Sequence, residues 1–436
     1  MKRIISLLTV LAAGALAAPA QTSLEEIREN PDKAGGVYLA YPNIDGAPVT
    51  PAPKGYEPFY ISHFSRHGSR YLISDKDYSR LIDKMEAAKQ AGALTDTGLD
   101  MLDRLGQVWL EAEGRGGELT PLGHRQHRSI GRRMIGNYPE AFAGNPRIFA
   151  RSTVVMRCAH SMNSFCEGLK EVKPSLHIDR ESSERHMSYL NYHTDEANHF
   201  TRREGPWAEI SRKFEQEQTR PDRLMKLIFN DPAYVYANIN PHDFMWNVYW
   251  VTVDMQNMEC PVRFNDILTP EELFDMWQAF NWRFYATNSN NPMAGGLLLD
   301  CARPSLKNMM DCARKAIREG RNGADLRFAH DGNIIPLAGL MQLENCYAQE
   351  SRPGELHKVY SDFKIAPMAG NIQMVFFRNK KNPEDILVKF LLNEVETRIP
   401  VATDRFPFYA WSDVEAFYDG ILSQATTSRS VLNDMN

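Results

Sequence analysis

Apolar and polar positions along the chain alternate between short strand-like runs and amphipathic helical stretches. Phe59-Tyr60-Ile61-Ser62-His63-Phe64 is dense in aromatic and β-branched residues and reads as a strand. A loop from Ser65 to Arg70 follows it. Ser74 with Asp77 has the form of a capping box. Tyr78, Leu81, Ile82, Met85 and Ala88 then recur at helical spacing, with Gly92 as the stop. Leu99, Leu102, Leu105 and Trp109 mark a second helix ending near Gly114. Thr120-Pro121 opens a third, because proline suits the first helical position. Arg147-Ile148-Phe149-Ala150 is a short strand, and Ser152 or Thr153 is placed to cap the helix that holds Arg157. Leu326-Arg327-Phe328-Ala329 repeats the motif, leading into His330-Asp331-Gly332-Asn333 and the apolar stretch Ile334 to Met341.

Three times, then, a strand ends in charged residues and a helix follows. In open α/β sheets that edge is where ligands bind. Residues 165–300 differ, being rich in Trp, Tyr, Phe and Asn with weak strand signals and helical stretches such as Thr269 to Trp277. They read as a helical insertion that caps the sheet edge. Gln373 to Phe377 and Ile386 to Leu391 flank Asn379-Lys380-Lys381-Asn382 as a hairpin, and Ser412 with Glu415 caps a final helix. Residues 21–56, rich in Pro and Gly, read as an extended lead-in. The expectation is an α/β fold: a mixed, mostly parallel sheet flanked by helices. Residues 21–164 and 301–436 form its core and 165–300 an inserted, mainly α-helical cap.

Residues 1–20 read as an export signal. Lys2 and Arg3 precede the apolar run Ile4 to Leu16 and the small residues Ala17-Ala18-Pro19-Ala20. A periplasmic or secreted location is expected. Removal of that segment shifts the formal charge from -5 to -7 (-5 minus 2). The acidic balance argues against general nucleic-acid binding, and no later stretch is long and apolar enough for a membrane span. Six cysteines, with no C-x-x-C pair, allow one or two disulfides at most.

Arg66, His67, Arg70, Arg157, His330 and Asp331 lie at those strand ends. Guanidinium groups match phosphate oxygens as planar, permanently charged donor forks. An imidazole among them resists protonation and stays nucleophilic. His67 fits that part, with Gly68 letting the backbone approach closely. Asp331 has the chemistry to protonate a leaving alcohol, and His330 to donate to a phosphate oxygen.

These residues also carry a resemblance. Arg66-His67-Gly68-Ser69-Arg70 resembles the R-H-G-x-R signature of the histidine phosphatase superfamily, in its histidine acid phosphatase and phytase branch. His330-Asp331 matches that branch's late H-D pair. Arg151 to Cys158 with Ser161 resembles its R-[ST]-x(3,4)-R-[TC]-x-x-S segment, and Leu119 to His127 its L-T-x-x-G-x-x-Q-H helix start. The resemblance implies His67 as the phosphorylated nucleophile and Asp331 as the proton donor. It implies Arg66, Arg70, Arg157 and His330 as phosphate ligands, and neither metal nor cofactor. Leu72 stands where the family often has Pro. Arg70-Tyr71 is similar to multiple inositol polyphosphate phosphatases, whereas those usually carry H-A-E where this chain has His330-Asp331-Gly332.

The expected activity is an exported phosphomonoesterase that works through phosphohistidine, with inositol polyphosphates favoured as substrates and mildly acidic conditions favouring a protonated Asp331. A broad acid phosphatase, an inactive phosphate-ligand binder and a mutase are the alternatives. Other residues have plainer readings. His63 suits the core. His124, His127, Arg128, Arg132 and Arg133 form either a basic rim or an ordinary solvated helix face. Neither His63 with His67 nor His124 with His127 has the carboxylate or thiolate company of a metal site.

Overall fold

The computed structural model describes residues 22–424, so the expected export signal lies outside the described residues. One sheet organises the molecule. Its strands are β1 (Tyr56–Arg66), β2 (Arg147–Ser152), β3 (Ile178–Ser182), β4 (Gly323–Ala329), β5 (Asn371–Asn379), β6 (Ile386–Leu392), β7 (Val395–Glu396) and β8 (Phe408–Ala410). They run in the order β3-β2-β4-β1-β5-β6-β7, with β8 paired to β6. β3, β2, β4 and β1 are mutually parallel. β5 turns antiparallel to β1, and β6 returns in the direction of β1. The fold is thus α/β, with a mixed, mostly parallel sheet under helices on both faces.

The helices nearest the sheet's working edge are α1 (Lys76–Gln90), α2 (Asp96–Ala112), α3 (Pro121–Asn137) and α4 (Met156–Val172). Farther along come α5 (Pro241–Asp254), α6 (Pro270–Asn288), α7 (Arg303–Glu319), α8 (Asp331–Leu340) and α9 (Trp411–Ser423). One hydrophobic cluster packs α3 and α4 against one sheet face through Ile130, Phe165, Ile148 and Phe328. The other unites the opposite face with α5 and α6, burying Trp277 and Trp282 completely. Packing on both faces explains why β1 is buried without a break from Pro58 to Arg66 and rich in aromatic residues.

Local chemistry sets several boundaries. Thr120 caps α3 by accepting from the Gly123 N–H at 3.2 Å. Thr269 and Glu272 form the reciprocal capping box of α6. Tyr78, Leu81, Met85 and Ala88 make the buried stripe of α1.

Other expectations need correction. The stretch 165–300 contains the edge strand β3, paired in parallel with β2. Asp179-Arg180-Glu181 fill its centre; charges suit a short, exposed edge and erase the hydrophobic alternation. Residues 21–56 are not extended throughout: Leu24–Glu29 is a helix capped by Ser23, and Pro31–Tyr38 is a 3₁₀ segment capped by Asn30. Neither Ser152 nor Thr153 caps α4, which starts behind Val155 without a side-chain cap. α9 starts at Trp411, ahead of Ser412, again without one. Only half of the Ser74/Asp77 box forms, with Asp77 accepting from the Ser74 N–H at 3.0 Å. All six cysteines are free thiols. Among the described residues no helix is long and apolar enough to cross a membrane.

Candidate active site

Three adjacent parallel strands deliver the charged residues to one edge. β1 ends at Arg66, and the His67 N–H donates to Ala329 O at 3.0 Å, locking the loop to the end of β4. β4 hands over to His330 and Asp331 at the start of α8. β2 ends at Ser152, and the Thr153 N–H donates to Phe328 O at 3.0 Å before Arg157 enters the first turn of α4. The sheet order β2-β4-β1 therefore makes neighbours of segments more than 250 residues apart.

Glycine lets the loop seat itself. A Cβ on Gly68 would lie 2.6 Å from Gly123 O, and one on Gly123 would lie 2.2 Å from Ser69 O. The loop and the first turn of α3 touch backbone to backbone, a contact that side chains on either would forbid. Ser161 on α4 accepts from the Gly68 N–H at 3.0 Å, and Gln126 on α3 accepts from the Ser69 N–H at 2.8 Å.

His67 is 2% exposed. Its Nδ1 lies 2.9 Å from Gly68 O. A carbonyl only accepts, so Nδ1 carries the ring proton and Nε2 keeps its lone pair. Burial first, then the charges of Arg66, Arg157 and Arg70, hold the His67 pKa well below its usual value. The lowered pKa favours the neutral ring, whose Nε2 lone pair can act as a nucleophile. His330 faces it, with ring centroids 5.7 Å apart at 67°. Its Nε2 lies 3.3 Å from Thr153 Oγ1. Burial and the three arginines lower His330 to about 4, against the opposing pull of Asp331.

Arg66 is fully buried. Its Nη1 donates to Val37 O and, at 2.9 Å, to Ala366 O, and its Nη2 meets Asp331 Oδ2 at 2.6 Å. Desolvation brings its pKa down to about 10, still far above neutrality. Arg70 donates to Tyr71 O at 2.8 Å and to the Tyr38 hydroxyl at 3.0 Å, with its guanidinium 4.7 Å from the Tyr38 ring centre. Arg157 is half-buried, and its charge acts on His67, His330 and Arg70. Among the described residues, the Nε atoms of Arg70 and Arg157 have no hydrogen-bond partner, and both are buried. Buried donors in that condition are costly and call for an acceptor.

Asp331 departs from expectation. Burial raises its pKa, but Arg66, Arg70, His330 and the Gly332 N–H, 2.8 Å from Oδ1, outweigh burial and hold it below the usual carboxylate value. In this arrangement it is a carboxylate, not a ready acid.

The six residues singled out in the sequence thus form one cluster. The basic face of α3 does not join it. Arg128 and Arg132 pair with Glu167 and Glu171, and Arg133 pairs with Asp45 and Glu394. His127 is buried against Phe165 and Phe328, with its pKa lowered by burial to about 3. His63 lies tilted against the same two rings. His124 bonds Ser164 Oγ at 2.7 Å and neighbours His160. Cys158 points its thiol at Ala329 O, 3.1 Å away, and burial pushes its pKa to about 12, so it packs rather than reacts. Among the described residues, no three His, Cys, Asp or Glu side chains group as a metal site.

Sequence reasoning missed Tyr38, which holds Arg70 from the segment read as a lead-in. It also missed a buried polar relay from the cap to the loop. The Ser69 hydroxyl donates to Asn257 Oδ1 at 2.7 Å, Asn257 bonds Asp254, and Asp254 accepts from the Tyr78 hydroxyl, which itself accepts from the Leu72 N–H. No motif marks these residues. The one local hint is the Gly35-Gly36 pair before Tyr38, an irregular backbone in an otherwise unremarked stretch.

The family model of the histidine phosphatase superfamily (branch 2) matches residues 62–393, so the chain belongs to that superfamily, as a histidine acid phosphatase. A solved structure of Bifidobacterium longum multiple inositol polyphosphate phosphatase, in complex with inositol hexasulfate, superposes with TM-score 0.75 at 19% identity, covering 88% of this chain and 97% of that one. The phytase from D. castellii gives TM-score 0.67 at 18% identity, covering 96% and 91% respectively. Hafnia alvei phytase in complex with myo-inositol hexakis sulphate gives 0.54 at 12%, covering 86% and 100%. Likeness at these identities is a likeness of fold. No curated protein matches the sequence.

Proposed function

We propose that the protein is an exported phosphomonoesterase that transfers the phosphoryl group of its substrate to His67 and then to water, with inositol polyphosphates as the preferred substrates. The observation that carries this reading is the state of His67: proton fixed on Nδ1 by Gly68 O, lone pair on Nε2, and three guanidinium groups around it.

In the first step Nε2 of His67 attacks phosphorus, the P–N bond forms, and the bond to the leaving oxygen breaks. Arg66, Arg70, Arg157 and His330 hold the phosphoryl oxygens as charge moves onto them. Asp331 gives its proton to the leaving oxygen. In the second step the Asp331 carboxylate takes a proton from water as that water attacks phosphorus. The P–N bond breaks and neutral His67 returns.

Asp331 must acquire a proton first, and the substrate supplies the reason. A phosphate dianion between the arginines cancels the positive field that keeps Asp331 ionised and adds a like charge beside it. Both effects raise its pKa. Substrate binding thereby loosens the Arg66–Asp331 pair and turns the carboxylate into the acid.

The preference for inositol polyphosphates is supported by Arg70-Tyr71 and by the ligands and activities named for the structural neighbours. The face of α3 lends no support, since its arginines are already paired. Export rests on residues 1–20, with their basic start, apolar run and small-residue end. The helices between residues 183 and 300 serve as the cap, with α5 and α6 packed behind Tyr38 through Trp250 and Phe280. Phosphate release from phytate, set beside simple sugar and aryl monophosphates, tests the reading. A clear advantage for phytate supports it. An advantage for simple monoesters returns the protein to broad acid phosphatase activity, and no release from any of them leaves a binding protein.

A further inference from the structure

Asp362 is a fully buried carboxylate that belongs to none of the motifs and opens the one-turn helix Asp362–Ile365. Its Oδ2 accepts from the Val37 N–H at 3.0 Å. Its Oδ1 accepts from Trp277 Nε1 at 3.1 Å and from the Phe363 N–H at 2.9 Å.

What these bonds grip is the backing of the phosphate cluster. Arg66 Nη1 donates to two carbonyls, Val37 O and Ala366 O. Asp362 holds both of those residues: its carboxylate takes the Val37 N–H, and its main-chain oxygen takes the Ala366 N–H at 2.8 Å. The residue after Val37 is Tyr38, whose hydroxyl accepts from Arg70 Nη2. One residue thus stands behind Arg66 and Arg70 together. The approach depends on Gly36, whose φ of +56° is left-handed. A Cβ there would lie 2.5 Å from Asp362 Oδ2. From the other side α6 fixes Asp362 through two buried residues one turn apart, Trp277 and Asn281. Asn281 Oδ1 accepts from the Asp362 N–H at 3.0 Å, and its amide donates to Tyr360 O at 3.2 Å. A buried polar network satisfied in this way is rigid.

We infer that Asp362 is a positioning residue of the phosphate clamp, setting Arg66 and Arg70 through the Val37–Tyr38 segment and tying both to α6. The inference rests on the proposed role of these arginines as phosphate ligands. A guanidinium fork meets phosphate oxygens in a fixed geometry, so the backbone that holds its remaining N–H groups governs how well it binds.

Asp362→Asn tests this. The amide keeps one acceptor oxygen and turns an NH₂ group towards N–H donors. The readouts are Ki for inorganic phosphate and kcat/KM on p-nitrophenyl phosphate, in wild-type and Tyr38→Phe backgrounds, at a temperature where circular dichroism shows each protein folded. Ki should rise about tenfold to a hundredfold, with kcat/KM falling about as far. The fall should be smaller in Tyr38→Phe, where the link to Arg70 is already cut, because residues of one network are not additive. A change that only loosened the fold would cost the same in both backgrounds. If Asp362→Asn does not fold, Trp277→Phe withdraws one donor from the same carboxylate and keeps a ring in place. Ki should then rise about threefold or more, with the same difference between backgrounds. An unchanged Ki in the folded variant, or equal losses in the two backgrounds, overturns the inference. Wild-type protein that neither hydrolyses the ester nor binds phosphate contradicts the proposed function itself, an outcome distinct from a flat Ki in active protein.

Discussion

Nη2 of Arg66 lies 2.6 Å from Oδ2 of Asp331, and this ion pair joins the proposed phosphate clamp to the proposed proton donor. The same guanidinium that would bind a phosphoryl oxygen also keeps the carboxylate ionised. In the proposed mechanism, acid strength at Asp331 is therefore conditional on an anion in the clamp.

Asp331→Asn separates substrates by leaving group. A poor leaving group such as a sugar alkoxide needs the proton, and its kcat should fall about 10²–10⁴-fold. An activated aryl phosphate needs it far less, and should lose at least tenfold less. Steady-state rates on glucose 6-phosphate and p-nitrophenyl phosphate decide the matter; equal losses on both remove Asp331 from the donor role.

The acid limb of kcat/KM should lie well below the ordinary histidine value. His67 and His330 are both lowered, His330 to about 4. A lowered pKa means that stronger acid is needed to protonate the ring, so the nucleophile survives as pH falls through 6. A profile on p-nitrophenyl phosphate, insensitive to the acid group, should stay flat from pH 7 to about 5. A drop centred at 6.5 would contradict the electrostatic description of the site.

Tyr38→Phe removes the hydroxyl that accepts from Arg70 Nη2 at 3.0 Å but keeps the ring beneath the guanidinium. With one buried donor released, Arg70 should hold phosphate less well. A hydrogen bond to a charged group contributes about 1.5–3 kcal/mol, so a fall in kcat/KM of about tenfold or more is expected, with thermal stability close to wild type. Unchanged kinetics would show that Arg70 does not depend on Tyr38.

Gly68→Ala places a methyl group 2.6 Å from Gly123 O, where neither backbone can yield easily. The loop bearing His67 must shift, and a shift of about 1 Å at a reacting atom costs about a hundredfold in rate. Circular dichroism should show a folded protein with activity down by about that factor. Full activity would mean that the loop does not need its contact with α3.

Much of this arrangement was legible in the sequence, for identifiable reasons. β1 announced itself through an apolar, aromatic run because both its faces are buried. α3 and α6 announced themselves through Thr-Pro starts whose caps are local. The clustered residues were legible because each sits within a residue or a turn of a strand end, and motif spacing records that. β3 was invisible because an edge strand of Asp, Arg and Glu has no apolar alternation. Tyr38 was invisible because its role comes from Arg70 folding over it, a contact no nearby residue encodes. The lowered pKa of Asp331 was invisible for the same reason. Composition shows the carboxylate, whereas its charge depends on how closely Arg66 approaches in space. The α3 arginines stayed open between a basic rim and a solvated face because their partners, Glu167, Glu171 and Glu394, come from other elements.

Rapid acid-free quenching of the enzyme mixed with labelled phosphate monoester asks whether His67 becomes phosphorylated. An acid-labile, base-stable phosphoryl group is expected, placed on His67 by peptide mapping, formed at least as fast as turnover and absent from His67→Ala, which should be inactive. Label on another residue, or turnover that persists in His67→Ala, would contradict that role for His67.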